Sequence, residues 1–316
     1  MQPLLEAKGL VKRFGSLTAV DGISLSVPQG EVLGFLGPNG AGKTTTMKML
    51  TGFLAPSEGE ASICGELVTT GIASVRRNIG YLPEGAPLYG EMTPESFLTF
   101  IAETHGIVGA EAKNAIASAA DAVTIDQVMN QRIETLSKGF RRRVGLACAI
   151  LHNPKVLILD EPTDGLDPNQ KHEVRRLIEG LSSERAIIIS THILEEVDAI
   201  CDRAVVIREG RIVADDTPRK LKAQSIYAGA VSLLLPSKDA KALIAAAQIL
   251  VGLDRIEQVK VGKDIRVTLL AKKGIDIADS VGDMVAKGDW HVSQYSVDAG
   301  RLDDVFRKLT LGGNKK

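Results

Sequence analysis

Residues 37–44 read Gly37-Pro38-Asn39-Gly40-Ala41-Gly42-Lys43-Thr44, a spacing suited to binding phosphate. The glycines let the backbone turn so that successive N–H groups converge on one anion, and a helix beginning there adds the positive end of its dipole. Lys43 can reach the β- and γ-phosphates of a nucleoside triphosphate, and Thr44 can offer its hydroxyl to Mg²⁺. A plain Gly-rich turn before a helix would account for Gly37 and Gly40 but not for Lys43-Thr44 in register. Asp160 and Glu161 close the apolar run Val156-Leu157-Ile158-Leu159, and His192 follows a second run, Ala186 to Thr191. Asp160 can hold Mg²⁺, directly or through water, facing Thr44. Glu161 can orient or deprotonate an attacking water, and His192 can hydrogen-bond a γ-phosphate. Each has a plainer explanation when taken alone: an acidic pair before Pro162 can simply end a strand, and a lone histidine is commonly structural. The phosphate loop turns the set toward phosphoryl chemistry.

Such groups work only if strands deliver them to one edge. An apolar strand, Val32 to Leu36, precedes the loop, and a helical stretch, Thr45 to Thr51, follows it. Strands alternate with amphipathic helices through most of the first 220 residues, which predicts an α/β fold on a largely parallel sheet. In such sheets ligands bind beyond the carboxyl ends of the strands, where Asp160, Glu161 and His192 fall. The opening differs: Leu4–Val11 and Ile23–Val27 read as antiparallel strands, with Gly15 and Gly22 as turn residues. A more helical region follows the loop, with Pro94 to His105, capped by Thr93, and Ala110 to Val123. Ser137 is placed to cap a helix running to His152, leaving its first N–H groups open to an anion. Arg141, Arg142 and Arg143 in that helix oppose its dipole, so local stability does not explain them; a solvated basic face would account for at least one.

Composition narrows the classes. The chain has 316 residues, enough for two domains, and a net charge of −1, so no global positive field draws it to nucleic acid or anionic lipid. It has no apolar run long enough to cross a bilayer, and its first residues lack the basic start and apolar core of a signal peptide. The three cysteines, Cys64, Cys148 and Cys201, are far apart and read as reduced thiols, so a cytoplasmic protein is expected.

In order along the chain, these motifs resemble the ATP-binding cassette family, the ATPase subunits of ABC transporters, over roughly residues 4–220. The resemblance places the family's signature segment at Leu136-Ser137-Lys138-Gly139-Phe140, its Walker B strand at Val156–Asp160, its D-loop at Asp164-Gly165-Leu166-Asp167 and its switch histidine at His192. It implies a P-loop NTPase fold with an N-terminal antiparallel β subdomain and a helical signature subdomain at about 87–150, within an ATPase domain at 1–220. It implies ATP and Mg²⁺ as cofactors, with Glu161, His192 and Lys43 in catalysis. Nucleotide contacts are implied for Phe14, Val20, the loop Gly37, Pro38, Asn39, Gly40, Ala41, Gly42, Lys43 and Thr44, and Thr45, with Phe14 stacking on adenine. Ser137, Lys138, Gly139 and Asp167 complete that set, Ser137 and Gly139 toward the γ-phosphate of a second subunit. One phosphate loop and one signature per chain then require a dimer, with itself or a similar chain.

Two positions depart from the family. Glu84 stands where Gln is usual, which keeps a metal ligand beside Thr44 and Asp160, loses an amide donor, and makes nucleotide affinity more metal-dependent. Lys138 and Phe140 replace the usual Gly and Gln; Lys138 either adds charge near nucleotide or points into solvent.

After Thr217-Pro218 and a short basic helix, residues 228–298 read as strand, helix, two strands, helix and strand, the βαββαβ order of a ferredoxin-like unit. An amphipathic helix, Leu302–Leu309, and a tail make up the remaining 301–316. This extension is similar to that of ABC-2-type cassettes, which serve export-type permeases, and a regulatory or dimer-supporting role is expected for it. The resemblance implies an exporter subunit on the cytoplasmic face of the membrane, driving a separate integral membrane permease whose helix docks near Glu84 and the region Pro87–Val123. The alternative is a soluble ABC ATPase acting on nucleic acid or ribosomes. The absence of sustained heptads, the single cassette and the near-zero charge weigh against it, and no nucleic acid partner is expected.

Overall fold

The computed structural model describes residues 2–68, 73–85 and 87–311; Met1 and the end of the expected tail, 312–316, lie outside the described residues. The chain divides into two compact units, Met1–Thr217 and Pro218–Lys316.

In the first unit, β1 (Leu5–Phe14) and β2 (Leu17–Val27) form an antiparallel ribbon that turns at Gly15-Ser16. Gly22, expected in a turn, instead lies inside β2 at φ 77°, where the pairing register shifts between Leu10 and Val11. It is a bulge that twists the ribbon. β3 (Val32–Leu36) leads into the phosphate loop and α1 (Lys43–Leu50). β4 (Glu58–Ile63) and β5 (Glu66–Leu67) complete a four-stranded antiparallel sheet ordered β2-β1-β4-β5.

Then come α2 (Ala73–Arg77), β6 (Ile79–Leu82), α3 (Pro94–Thr104), α4 (Gly109–Val123) and α5 (Lys138–Ile150). Thr93 caps α3 in a reciprocal box with Ser96, with Pro94 in the first turn, where its missing N–H costs nothing. β7 (Val156–Asp160), α6 (Pro168–Ser182), β8 (Ala186–Thr191), α7 (Leu194–Ile200), β9 (Arg203–Arg208) and β10 (Arg211–Asp216) finish the unit. The second sheet is ordered β10-β9-β3-β8-β7-β6, with only β10 antiparallel to its neighbour.

Every residue of β3, β7 and β8 is buried, as continuous apolar runs covered on both faces require. One face packs on the antiparallel sheet and α1 through Phe35, Ile158, Ile188, Leu10, Ile23 and Met47; the other packs on helices through Leu157, Ile187, Leu146, Val174 and Ile178. Each such side chain contributes about 1.5–3 kcal/mol on burial. Because β3, β6, β7 and β8 run parallel, their carboxyl ends deliver the phosphate loop, Glu84, Asp160-Glu161 and His192 to one edge.

The second unit opens with α8 (Pro218–Lys222), so the short basic helix belongs wholly to it. β11 (Val231–Pro236), α9 (Ser237–Ala247), β12 (Leu253–Val261), β13 (Asp264–Ala271), α10 (Ala278–Lys287) and β14 (Gln294–Val297) follow. The sheet is antiparallel, ordered β12-β13-β11-β14, and buries Val231, Leu233, Leu235, Val267 and Leu269 against Leu243 and Val281. The last strand is shorter than the expected Trp290–Val297: Trp290 and Val292 turn into this core before pairing with β11 begins. The final helix, α11 (Leu302–Leu311), is tied to the segment after α8, where Asp304 accepts from Ser225 Oγ at 2.9 Å and Ile226 N at 3.0 Å.

Candidate active site

A cleft of about 560 Å³ lies over the phosphate loop. Its walls include Phe14, Leu17, Ala19, Asn39, Gly40, Gly42, Lys43, Thr44, Thr45, Glu84, Glu161, Asp164 and His192. The loop's shape is sterically specified. A Cβ on Gly37 would lie 2.7 Å from Ile207, and one on Gly42, at φ 107°, would lie 2.5 Å from the Ala19 carbonyl. Ala41 is 4% exposed and anchors the loop, its N–H donating to Pro38 O and its carbonyl accepting from Gly210 N. Gly42 begins α1 without a side-chain cap, so the first N–H groups of α1 are open to an anion.

Lys43 is buried, and its Nζ donates to the carbonyls of Gly37 at 2.7 Å and Pro38 at 3.4 Å. Burial lowers its pKa, while the carboxylates of Glu161, Asp160 and Glu84 hold its proton on. This arrangement pairs one buried cation with a cluster of anions at the strand ends.

Asp160 is 1% exposed; its Oδ1 accepts from Ser190 Oγ, and its Oδ2 is buried without a protein partner. An orphaned carboxylate oxygen, with the oxygen donors Thr44 and Glu84 on the cleft wall, suits a hard divalent cation such as Mg²⁺. Glu161 follows at φ 51°, an uncommon conformation for a residue with a side chain, and its N–H still donates to Ser190 O at 2.9 Å. This bend points its carboxylate at His192, whose Nδ1 lies 2.8 Å from Oε2. The histidine remains half exposed while the carboxylate is largely buried. Glu161 thus stands at the cleft with one oxygen oriented by an imidazole.

Other predicted residues lie elsewhere. Val20 is wholly buried in the core under the loop, so Leu17 and Ala19 form the wall expected of it. Pro38 and Gly37 act through their carbonyls on Lys43. Asp167 caps α6, its Oδ1 accepting from Gln170 N at 3.0 Å, because Pro168 starts the helix and leaves that donor free. Within its own chain Asp167 is a structural cap and does not face the cleft. Ser137 caps α5, accepting from Phe140 N, and Gly139 lies against Gln170; neither lines this chain's cleft. Lys138 is 59% exposed; it crosses over Gly165 and pairs with Asp164, a residue of the cleft wall, at 3.3 Å.

The roles of two supporting residues were not legible in the sequence, although Arg142 stood out there among three arginines opposing a helix dipole. Glu196, 1% exposed on α7, accepts from Thr163 Oγ1 and, at 3.0 Å, from Thr191 Oγ1, joining the segment after Glu161 to the strand end before His192. Arg142 is buried against the backbone of the same turn. No spacing signal marks either, since their partners lie far away in sequence. Cys148 and Cys201, pushed by burial to about 12, are not nucleophiles.

A family model described as "ABC transporter" matches residues 20–164. The chain is 36% identical over 225 residues to the "Probable multidrug ABC transporter ATP-binding protein YbhF" of Escherichia coli (strain K12), covering 71% of this chain and 39% of that relative's length. It is 36% identical over 233 residues to the "Nod factor export ATP-binding protein I" of Burkholderia orbicola (strain AU 1054), covering 73% of this chain and 77% of the relative. The solved "Structure of ATP binding subunit of ABC transporter" superposes with a TM-score of 0.64 at 32% identity, over 70% of this chain and 92% of that one.

Proposed function

We propose, from the premise that the chain belongs to the ABC transporter family, that it is an ATP-binding and ATP-hydrolysing subunit powering an export-type membrane transporter. The observation that carries hydrolysis is the Glu161–His192 pair at 2.8 Å on the edge of a phosphate-binding cleft. Open N–H groups of α1 and the Lys43 ammonium bind the phosphates, and Phe14, half exposed on the cleft wall, offers its ring to the base. Mg²⁺ bound by Thr44, Glu84 and the free Oδ2 of Asp160 would neutralise charge on the phosphates. Glu161 accepts a proton from the attacking water, and His192 orients its carboxylate.

The signature residues Ser137 and Gly139 do not line their own cleft, which supports a second copy or a similar cassette completing each site. The proposed partner is a separate integral membrane permease, which would hold the protein at the cytoplasmic face. No helix among the described residues is long and apolar enough to cross a membrane. An apolar cleft of about 530 Å³, whose lining includes Tyr81, Leu82, Pro83, Leu88, Phe97 and Ile101, is the surface offered to it. The names of the multidrug and Nod factor relatives support the export direction. The test is purification of the tagged chain from gently solubilised native membranes. A polytopic membrane protein at comparable abundance, together with ATP hydrolysis lost in Glu161→Gln, is the expected result. Recovery with ribosomes or nucleic acid alone would sink the transporter reading.

A further inference from the structure

The three consecutive arginines of α5 have three different fates. Arg141 is exposed, and Arg143 pairs with Glu173 and lies over the Phe140 ring. Arg142 is 7% exposed, and its recorded hydrogen bonds all go to backbone carbonyls. Nε donates to Pro162 O at 3.1 Å and Nη1 to Pro83 O at 3.2 Å. Nη2 donates to Asp160 O at 2.6 Å and to Glu161 O.

A buried cation is costly unless its surroundings compensate it. Here burial lowers the pKa of Arg142, opposed by the nearby carboxylates of Asp160, Asp164, Glu161 and Glu84. Direct contact nevertheless goes to the backbone. The carbonyls of Asp160, Glu161 and Pro162 lie where β7 ends and the chain leaves the sheet. Glu161 is also held in the left-handed region, a costly conformation that persists only where neighbours over-determine it. The guanidinium fork supplies that constraint on one side of the turn, and on the other it holds Pro83, the residue before Glu84.

Resting on the reading of Glu161 as the base and Glu84 as a metal ligand, we propose that Arg142 is a positioning residue. It fixes the backbone of both acids relative to each other and to α5, the helix that begins at Ser137. Docking of Ser137 on a partner's nucleotide is then felt, through one rigid side chain, at the carboxylate that accepts the proton. Lysine keeps the charge but donates from a single atom, so it cannot span from Pro83 to Pro162.

The experiment compares ATP turnover by full-length wild type, Arg142→Lys and Arg142→Met, each normalised to the nucleotide bound per chain with a fluorescent ATP analogue. Arg142→Lys is expected to bind the analogue normally and keep KM within about threefold, while kcat falls about 100-fold, the scale of a misplaced catalytic group. Arg142→Met is expected to do the same or, if it fails to fold, leaves the lysine variant to decide. Wild-type turnover per bound nucleotide in Arg142→Lys would overturn the inference, as would a loss that appears only in the number of competent sites. If wild type itself shows no ATP turnover, the function reading fails, and this inference falls with it.

Discussion

The cleft over the phosphate loop and the apolar cleft around Tyr81 have similar volumes, about 560 and about 530 Å³, yet they are built in opposite ways. The first is made of loops at the carboxyl ends of parallel strands. Its walls carry open backbone donors, a buried lysine and carboxylates, and Asp160, whose Oδ2 has no protein partner, is buried at the adjoining strand end. The second is walled mainly by side chains from α1, β6, α3 and α5, with apolar Phe53, Leu82, Leu88, Phe97 and Ile101 prominent among them. Polar groups there are subdued by burial. His105 and His152 stack at 3.9 Å, burial lowers the pKa of both, and Tyr81 is pushed up by burial and by the charges of Asp160 and Glu84. Tyr81 and Glu84 come from the same short segment, one on each cleft. The contrast teaches that one cleft is preorganised for anionic chemistry and the other for an apolar surface, with a few residues of backbone between them.

Substitutions should separate the two. The largest effect is expected from Glu161→Gln, which removes the base but keeps its shape: turnover should fall about 10²–10⁴-fold in a steady-state phosphate-release assay, with nucleotide affinity retained. Equal loss of binding and turnover would mean that Glu161 supports the cleft without acting on water. Next, Lys43→Ala should weaken ATP binding about 100-fold in a fluorescent-nucleotide titration, since charge-assisted hydrogen bonds to phosphate are lost. In the apolar cleft, Ile101→Asp should cut recovery of the membrane partner about tenfold in pull-downs while ATP binding stays unchanged, as a charge placed in an apolar contact requires. A parallel loss of ATP binding would join the two clefts into one functional site.

The smallest expected effect is a pH dependence. His152 donates from Nε2 to Ile79 O at 2.9 Å, while its Nδ1 is buried without a partner, so protonation there gains no acceptor. Burial and neighbouring His105 lower its pKa to about 4, below the ordinary value of about 6.5. The unfolded chain therefore binds more protons between those values. Stability contributed by neutral His152 is present above about pH 6.5 and lost as the pH falls toward 4, by at most about 3 kcal/mol. Urea unfolding of wild type and His152→Gln at pH 7 and pH 5 should show the wild type losing more. Parallel losses would place the titration elsewhere.

The phosphate cleft could be read from the sequence because its parts are short contiguous segments. Gly37 to Thr44 specify their own backbone, and apolar runs ending in Asp160-Glu161 and Thr191-His192 announce parallel strands whose ends must meet. Ser137 and Thr93 were recognisable as caps because a cap acts within its own first turn. The apolar cleft had no such signal: its wall residues run from Lys48 to His152 and meet only after the sheet and helices pack. Val20 and Asp167 show what motif position leaves open: within the chain one side chain turns to the core and the other to a helix end.

Residue types and spacing alone thus determined the α/β class, the phosphate-binding loop and the acids placed to work beside it, because those properties follow from local backbone geometry and strand periodicity. Tertiary structure alone decided which of three adjacent arginines became a buried clamp, which side of the D-loop Lys138 crosses, and where an apolar surface opens. Those outcomes depend on burial and on carbonyls left unpaired where distant segments end, quantities that exist only once the chain has packed.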